Sequence, residues 1–345
     1  MNLNILTWNV RGLHEQEKRL RIRNLLKVWK ADIVCLQETK LELITRPIVK
    51  SLWSCHHVDW LFLGFVGASR GILLMWDRRV VEKLDEAVGH FSVSCKFRNV
   101  TNQQEWAFSG VYGLNANNER RLIWDELSGI NHWWEVPWCV GGDFNVIRFP
   151  SERLGATGYS SAMFDFSDFI SLHGLVDMPL EGGAFSWSNN RSNASMSRID
   201  RFLFNTEWEG HYSKIEQKRL CRLLSDHFPI MLTCGHFTQG RRPFRFENMW
   251  MKAQDFMDNM ERWWGSYQFS GTPSFILAKK LRAFKTDLKK WNEEEFGNVT
   301  VKKLRLLQEL HDLDSIAEHC PWTDAEKIKW TSFALILSRT LCWMK

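Results

Sequence analysis

Five short polar segments interrupt the apolar stretches in the first two thirds of this 345-residue chain, and their side chains suit phosphate chemistry. They are Thr7-Trp8-Asn9-Val10-Arg11-Gly12-Leu13, Leu36-Gln37-Glu38-Thr39-Lys40, Gly141-Gly142-Asp143-Phe144-Asn145, Arg198-Ile199-Asp200-Arg201-Phe202 and Ser225-Asp226-His227-Phe228-Pro229. Each alone has an ordinary explanation. Asn9 suits a turn, Glu38 a strand-end charge, Asp143 or Asn145 a helix cap, Asp200 a pair with its flanking arginines, and His227 a core histidine. Together they predict something else, because acids and amides at the same end of neighbouring strands converge in space. Phosphodiester hydrolysis needs hard carboxylate oxygens to hold a divalent cation against the growing charge on phosphate. It needs a second carboxylate to orient and deprotonate water. It also needs a donor for the non-bridging oxygen, which a histidine oriented by an aspartate provides. Glu38, Asp143 and the Asp200–His227 pair fill those three roles.

The elements that must position these groups are mostly short apolar runs bounded by turn residues. Strands are predicted over 2–8, 32–36, 60–66, 71–76, 90–98, 105–113, 136–141, 184–188, 198–204, 213–219 and 228–234. Helices are predicted over 15–30, where Ile22, Leu25, Leu26 and Trp29 share a face, over 119–134, and over 160–173 behind a capping Ser160 or Ser161. Many strands with a helix after the first imply two sheets packed face to face and flanked by helices, an α/β architecture. Composition shifts near 236–244, where Gly-His-Phe-Thr-Gln-Gly-Arg-Arg-Pro reads as a linker. Two domains are therefore expected, 1–236 and a helical 237–345. In the second, Leu277, Leu281, Phe284, Leu288 and Trp291, and then Leu306, Leu310 and Leu313, form packing stripes.

Composition supports a globular chain, at 44% hydrophobic and 25% charged residues. The net charge of +5 is uneven. Residues 1–236 hold 27 Lys and Arg against 26 Asp and Glu, and the remainder holds 18 against 14. That balance permits a polyanionic partner without demanding one. Eight scattered cysteines without a C-x-x-C pair exclude a zinc knuckle or a small disulfide framework and fit buried thiols. The N-terminus lacks a signal pattern, and no uncharged apolar run approaches the roughly 18 residues of a membrane span. No membrane partner is expected, and nuclear localisation is an expectation by elimination.

The five segments, in this order, resemble the endonuclease/exonuclease/phosphatase superfamily, which includes apurinic endonucleases and pancreatic-type DNases. The resemblance covers nearly all of 1–236 and implies a four-layered α/β sandwich of two mainly antiparallel sheets. It implies a DNA endonuclease using Mg²⁺, with Mn²⁺ as the alternative ion. Carried over residue by residue, Glu38 is the metal-ligand glutamate, with Asn9 beside the metal and Asp226 as a second acidic ligand. Asp143 orients the water, Asn145 helps bind phosphate, His227 and Asp200 form the histidine–aspartate pair, and Tyr112 in Gly110-Val111-Tyr112-Gly113 is the tyrosine near the scissile phosphate.

Arg11 stands where apurinic repair enzymes typically carry an acid. Trp-Asn-Val-Arg-Gly-Leu is similar instead to the endonuclease domain of plant LINE-type non-LTR retrotransposons, as is Phe185-Ser186-Trp187-Ser188-Asn189, with Ser186 replacing the usual threonine. Arg242–Trp250 and Leu288-Lys289-Lys290-Trp291-Asn292 resemble the helical connector before reverse transcriptase in those elements. No Asp-Asp pair of a polymerase occurs, so a fragment or degenerate copy is expected, with element RNA as an expected partner of the extension. Arg11, Lys40, Arg191, Arg198 and Trp187 are the expected DNA contacts, with Arg70 and Arg148 near the same rim. Two alternatives stay open: an inactive remnant that binds nucleic acid through its basic tail, and a phosphoester phosphatase of the same fold.

Overall fold

In the computed structural model, short alternating strands assemble two six-stranded sheets. The structure describes residues 3–65, 71–113, 117–189, 195–235, 250–251, 255–270, 273–295, 299–320 and 322–342. In chain order the elements begin β1 (Leu3–Asn9), α1 (Gln16–Trp29), β2 (Ile33–Gln37), α2 (Arg46–Leu52), β3 (Val58–Leu63) and β4 (Ile72–Asp77). They continue with β5 (Val81–Val88), β6 (Ser92–Asn99), β7 (Glu105–Tyr112), α3 (Asn117–Trp134), β8 (Trp138–Asp143) and α4 (Ser161–Leu172). Then come β9 (Leu175–Asp177), β10 (Trp187–Ser188), β11 (Met196–Ser197), β12 (Asp200–Asn205), α5 (Thr206–Gly210), β13 (Ile215–Arg219) and β14 (Ile230–Cys234). The helices α6 (Phe256–Ser266), α7 (Pro273–Glu295), α8 (Val299–His319) and α9 (Asp324–Cys342) close the described chain.

One sheet runs β13-β14-β1-β2-β4-β3 and the other β5-β6-β7-β8-β12-β9, with β10-β11 as a separate ribbon. Pairing is antiparallel except for β1 with β2 and β7 with β8. The inner faces meet in a dry core in which Ile5, Cys35, Leu74 and Trp76 of one sheet join Phe97, Trp106, Phe108 and Phe202 of the other. The sheets pack tightly at Gly110, where a Cβ would lie 2.3 Å from Cys35 Sγ. Outside, Trp124 of α3 stacks on Phe166 and Phe169 of α4 against the back of the second sheet. Trp8 turns outward to meet Trp29 of α1 edge-on, with ring centroids 5.8 Å apart. The result is the expected four-layered α/β sandwich.

Differences from the sequence reading have physical reasons. The strand β5, Val-Glu-Lys-Leu-Asp-Glu-Ala-Val, escapes a hydrophobic search because it is a sheet edge with only Val81 buried. Its charges suit an edge that must not pair with another chain. The predicted strand 184–188 shrinks to the two residues of β10. Helix α2 was not anticipated, although a proline occupies its first turn. Ser160 sits at the N-cap of α4, yet its side chain makes no capping bond.

The chain divides into two units. The first takes in 1–238 and also 310–330, and the second comprises 239–309 with 331–345. Within the second, Phe256, Leu288 and Trp291 form a small aromatic core with Met260, Trp263 and Phe284. Leu277 and Leu281 of the expected stripe are exposed. Among the described residues no helix is long and apolar enough to cross a membrane.

Candidate active site

Sheet register brings the polar segments together. Asp200 on β12 pairs directly across from Asp143 on β8, and Tyr112 at the end of β7 lies beside Asp143 in the parallel ladder. In the other sheet, Asn9 ends β1 and Glu38 follows the last residue of β2, while His227 precedes β14, the antiparallel neighbour of β1. The loops after β1 and β2 are zipped by Val10 N–H to Gln37 O at 3.0 Å and Leu13 N–H to Thr39 O at 2.9 Å. Arg11, Glu38, Lys40 and Asn145 all adopt left-handed backbone conformations, with φ between 49° and 56°. Such conformations are costly for non-glycine residues and cluster where a site requires them.

Asn9, Arg11, Glu38, Tyr112, Asp143, Asn145, Asp226 and His227 line one open cleft of about 650 Å³, together with Arg120, Arg153, Trp187, Asn189, Ser195, Ser197 and Ile199, and Asp200 is buried behind His227. Asp143 is fully buried. Its Oδ2 accepts from Asn9 Nδ2 at 2.9 Å and its Oδ1 from the Asn145 backbone N–H at 2.9 Å. Asn145 is itself anchored by Nδ2 donating to Gly113 O at 2.7 Å. His227 Nδ1 lies 3.0 Å from Asp200 Oδ2 and 3.8 Å from Asp143 Oδ2, which leaves Nε2 as the ring atom available to a ligand. Asp200 is held from behind by Ser186, whose Oγ donates to Asp200 Oδ2 at 2.8 Å and accepts the N–H groups of Ile199 and Asp200.

Charge and burial tune this group. Burial, reinforced by the Asp200 carboxylate, pushes the Asp143 carboxyl up to about 7 against the neighbouring His227 and its hydrogen bonds. Burial alone would lower His227. The carboxylates of Asp200 and Asp143 outweigh it and raise the imidazole to about 9. Burial and the Glu38 and Asp143 carboxylates hold the Tyr112 phenol well above its usual range, and its hydroxyl donates to Glu38 Oε1 at 2.8 Å. At neutral pH His227 is thus cationic and Tyr112 protonated.

A stability prediction follows from the histidine. Its raised pKa means that folding takes up a proton between pH 6.5 and about 9. The stabilisation is present below 6.5 and lost as pH rises through 9. In metal-free buffer the urea midpoint is expected to fall across that window, and His227→Ala to flatten the fall. An equally steep fall in the variant would contradict the assignment.

Two sets of groups have the chemistry to hold a cation. Asp143, Asp200 and His227 present ligand atoms within 4.8 Å of one another. In the same cleft, Glu38 Oε2 is buried without a hydrogen-bond partner among the described residues. The Arg11 guanidinium spans the gap between Glu38 and Asp226, with Nε 3.8 Å from Glu38 Oε2 and Nη1 2.6 Å from Asp226 Oδ2. A positive charge between two carboxylates, one with an orphan oxygen, fits a divalent-cation site. Arg11 side-chain atoms are half-exposed, so each contact contributes at most about 1 kcal/mol. Arg11→Ala is therefore expected to tighten Mn²⁺ binding by up to about tenfold in calorimetric titration, because the ion no longer displaces a resident cation. Unchanged or weaker binding would show that Arg11 does not compete.

The sequence-predicted contacts divide. Arg11 and Trp187 line the cleft, and Trp187 Nε1 donates to Asp226 Oδ2 at 2.8 Å, so the indole serves the acidic wall. Arg198 is not a lining residue. It pairs with Glu152 and Asp177 in a buried network that also holds Arg201 and Arg148. Lys40 is half-buried and also outside the lining. Arg70 and Arg191 lie outside the described residues. Missed in the sequence were Ser186, whose only signal was its place in the Phe-Ser-Trp-Ser segment, and the cationic rim of Arg120 and Arg153. Both arginines line the cleft, and burial, with the neighbouring Arg153 charge, lowers the Arg120 pKa.

A four-layered sandwich with carboxylates, amides and a cationic histidine at one end of both sheets defines a phosphoester hydrolase of nuclease or phosphatase type. Residues 6–227 match the model of the Endonuclease/Exonuclease/phosphatase family, and the chain belongs to that family. It is similar to the exodeoxyribonuclease of Bacillus subtilis (strain 168), with 25% identity over 261 residues covering 67% of this chain and 98% of the relative. Its fold resembles the AP endonuclease LMAP from Leishmania major, with a TM-score of 0.54 and 17% identity over 68% of this chain and 88% of that one. It also resembles the endonuclease domain of TRAS1, a telomere-specific non-LTR retrotransposon, with a TM-score of 0.52 and 15% identity over 68% of this chain and 99% of that one.

Proposed function

We propose that this chain is a Mg²⁺-dependent DNA endonuclease that nicks a strand and leaves a 3′-hydroxyl, as a non-LTR retroelement requires for priming. The observation that carries the reading is the meeting of Glu38, Asp143 and His227 around one open cleft, with Asp200 bonded behind His227 and Glu38 Oε2 lacking a hydrogen-bond partner among the described residues. Glu38, Asn9 and Asp226 would hold the ion, because hard oxygens suit Mg²⁺ better than the histidine-containing alternative, whose Nδ1 already binds Asp200. Bound there, the ion supplies charge neutralisation at the phosphate and leaving oxygen.

The chain's own residues do the rest. Asp143, with its pKa near neutrality, takes a proton from the attacking water. Asn9 and Asn145 fix its carboxylate, so the acceptor direction is set before substrate arrives. His227 presents a cationic Nε2 to a non-bridging oxygen, and Asp200 and Ser186 hold the ring. The water oxygen bonds to phosphorus as the bond to the 3′ oxygen breaks, and the released alkoxide takes a proton from solvent, giving a 3′-hydroxyl and a 5′-phosphate. Arg120 and Arg153 on the rim support an extended polyanion as substrate, through contacts to flanking phosphates.

The test sets supercoiled plasmid beside soluble phosphomonoesters, each with Mg²⁺ or with chelator. Metal-dependent nicking whose ends a polymerase extends directly is the expected result. Phosphate release from the small esters without nicking would replace the nuclease reading by a phosphatase one.

A further inference from the structure

The catalytic loop Ser225-Asp226-His227 is gripped from behind by two buried arginines, and a C-terminal helix supplies their counter-charges. Arg222 donates from Nη1 to Ser188 O at 3.2 Å and to Asp226 O at 3.5 Å, so it holds the backbone of the loop and of the β10 ribbon beside it. Its Nη2 donates to Asp314 Oδ1 of α8 at 3.2 Å. Arg219 donates to Phe185 O at 2.9 Å and pairs with Glu318 of α8. Both guanidiniums lie against the ring of Phe228, the residue after His227, at 4.2 and 4.6 Å from its centroid. All four charged side chains are at least 95% buried.

The receiving surface is shaped for this helix. Gly182, at φ +85°, faces α8, and a Cβ there would lie 2.8 Å from the His311 ring. A Cβ on Gly183 would overlap the Arg219 guanidinium at 2.0 Å. The Ala184 N–H then donates to Glu318 Oε2 at 2.9 Å, which completes the dock. Residues 310–330 belong to the same compact unit as the loop they support.

We infer that residues 311–318 of α8 position the catalytic loop, with Asp314 and Glu318 as positioning residues that act through Arg222 and Arg219. A buried guanidinium keeps its place only while its charge is paired. Remove the carboxylates and the arginines must seek water, which withdraws the hydrogen bond on Asp226 O and the packing on Phe228. Between those two anchors sit Asp226 and His227, and displacement of a catalytic group by about 1 Å can cost 10²-fold in rate. A helix beyond the family's sandwich thereby becomes part of the active-site support. The kinetic side of this inference rests on the proposed nuclease function, whereas the structural side does not.

The experiment uses the full chain and the double variant Asp314→Ala/Glu318→Ala, with Asp314→Asn/Glu318→Gln as a gentler pair should the first fail to fold. An Ile316→Ala variant on the exposed face of the same helix is the control. Amide hydrogen exchange is read over 220–228 and over the strand centres 5–6 and 34–35. Exchange over 220–228 is expected to accelerate at least about tenfold while the strand centres keep parent rates. Plasmid nicking is expected to show kcat lowered roughly 10- to 100-fold with KM within about twofold, and the control unchanged. Parent-like exchange over the loop, or equal acceleration everywhere, overturns the inference, as does a loosened loop with parent kcat. If the parent itself fails to nick, the nuclease reading falls, and loop-confined exchange alone then upholds or overturns the positioning role.

Discussion

Asp143→Asn is expected to lower kcat for DNA nicking by about 10²–10⁴-fold while leaving the protein folded. The carboxylate is the one fully buried acid in the cleft whose pKa is carried near neutrality, by burial and by Asp200. An acceptor in that range is ionised in part at pH 7 and still basic enough to take a proton from water. The amide keeps the shape and an acceptor for the Asn145 N–H, but it cannot accept a proton at any working pH. It also removes a like charge from beside Asp200, which offsets the loss of the Asn9 hydrogen bond to Oδ2 and of one of the two carboxylates that keep His227 cationic. Measured in single turnover with saturating Mg²⁺, the loss should fall on the chemical step, with DNA affinity and Mn²⁺ affinity close to parent values. A loss confined to metal affinity would move Asp143 from proton acceptor to ligand.

Ending the chain at Thr238 is expected to destabilise the sandwich by several kcal/mol, although the family match itself stops at residue 227. Truncation strips Asp314 from Arg222 and Glu318 from Arg219, two guanidiniums that are 3% and 0% exposed. Breaking one buried pair by removing a single partner costs about 3–5 kcal/mol. The two losses, lessened where removal of α8 opens the guanidiniums to water, still amount to a sizeable part of the 5–15 kcal/mol that holds a typical domain together. At about 2–4 °C per kcal/mol for a domain of this size, the thermal midpoint should drop by roughly 10 °C or more. Substituting Arg219→Met and Arg222→Met in the shortened chain should recover part of the loss, because the uncompensated charges go with them. A shortened chain that melts within about 2 °C of the corresponding full-length transition would contradict the account.

Most of the candidate site was legible because strand ends are local features. Asn9, Glu38, Asp143, Asp200 and His227 each close or open an apolar run, and the sheet register alone then brings them together. What stayed hidden depends on partners distant in the chain. Arg219 and Arg222 look like surface charges until Glu318 and Asp314, almost a hundred residues later, are placed against them. Arg198 looks like a phosphate contact until Glu152 and Asp177 close around it. Ser186 carries no charge and no periodicity, so its role beneath Asp200 follows only from the position of β10. Among the elements, β5 was hidden because an edge strand buries almost nothing on either face. Arg120 and Arg153 were missed since helix α3 and the segment after Pro150 reach the cleft only by tertiary packing.

The most direct measurement is the initial rate of Mg²⁺-dependent nicking of supercoiled plasmid by the full chain, by Glu38→Ala and by His227→Ala. All three are first shown to share one circular-dichroism spectrum. The predicted result is nicking by the parent and a rate at least about 100-fold lower in each variant, one losing the ion's ligand and the other the phosphate donor. Variants that cut as fast as the parent would mean that this cleft is not where the phosphodiester is broken.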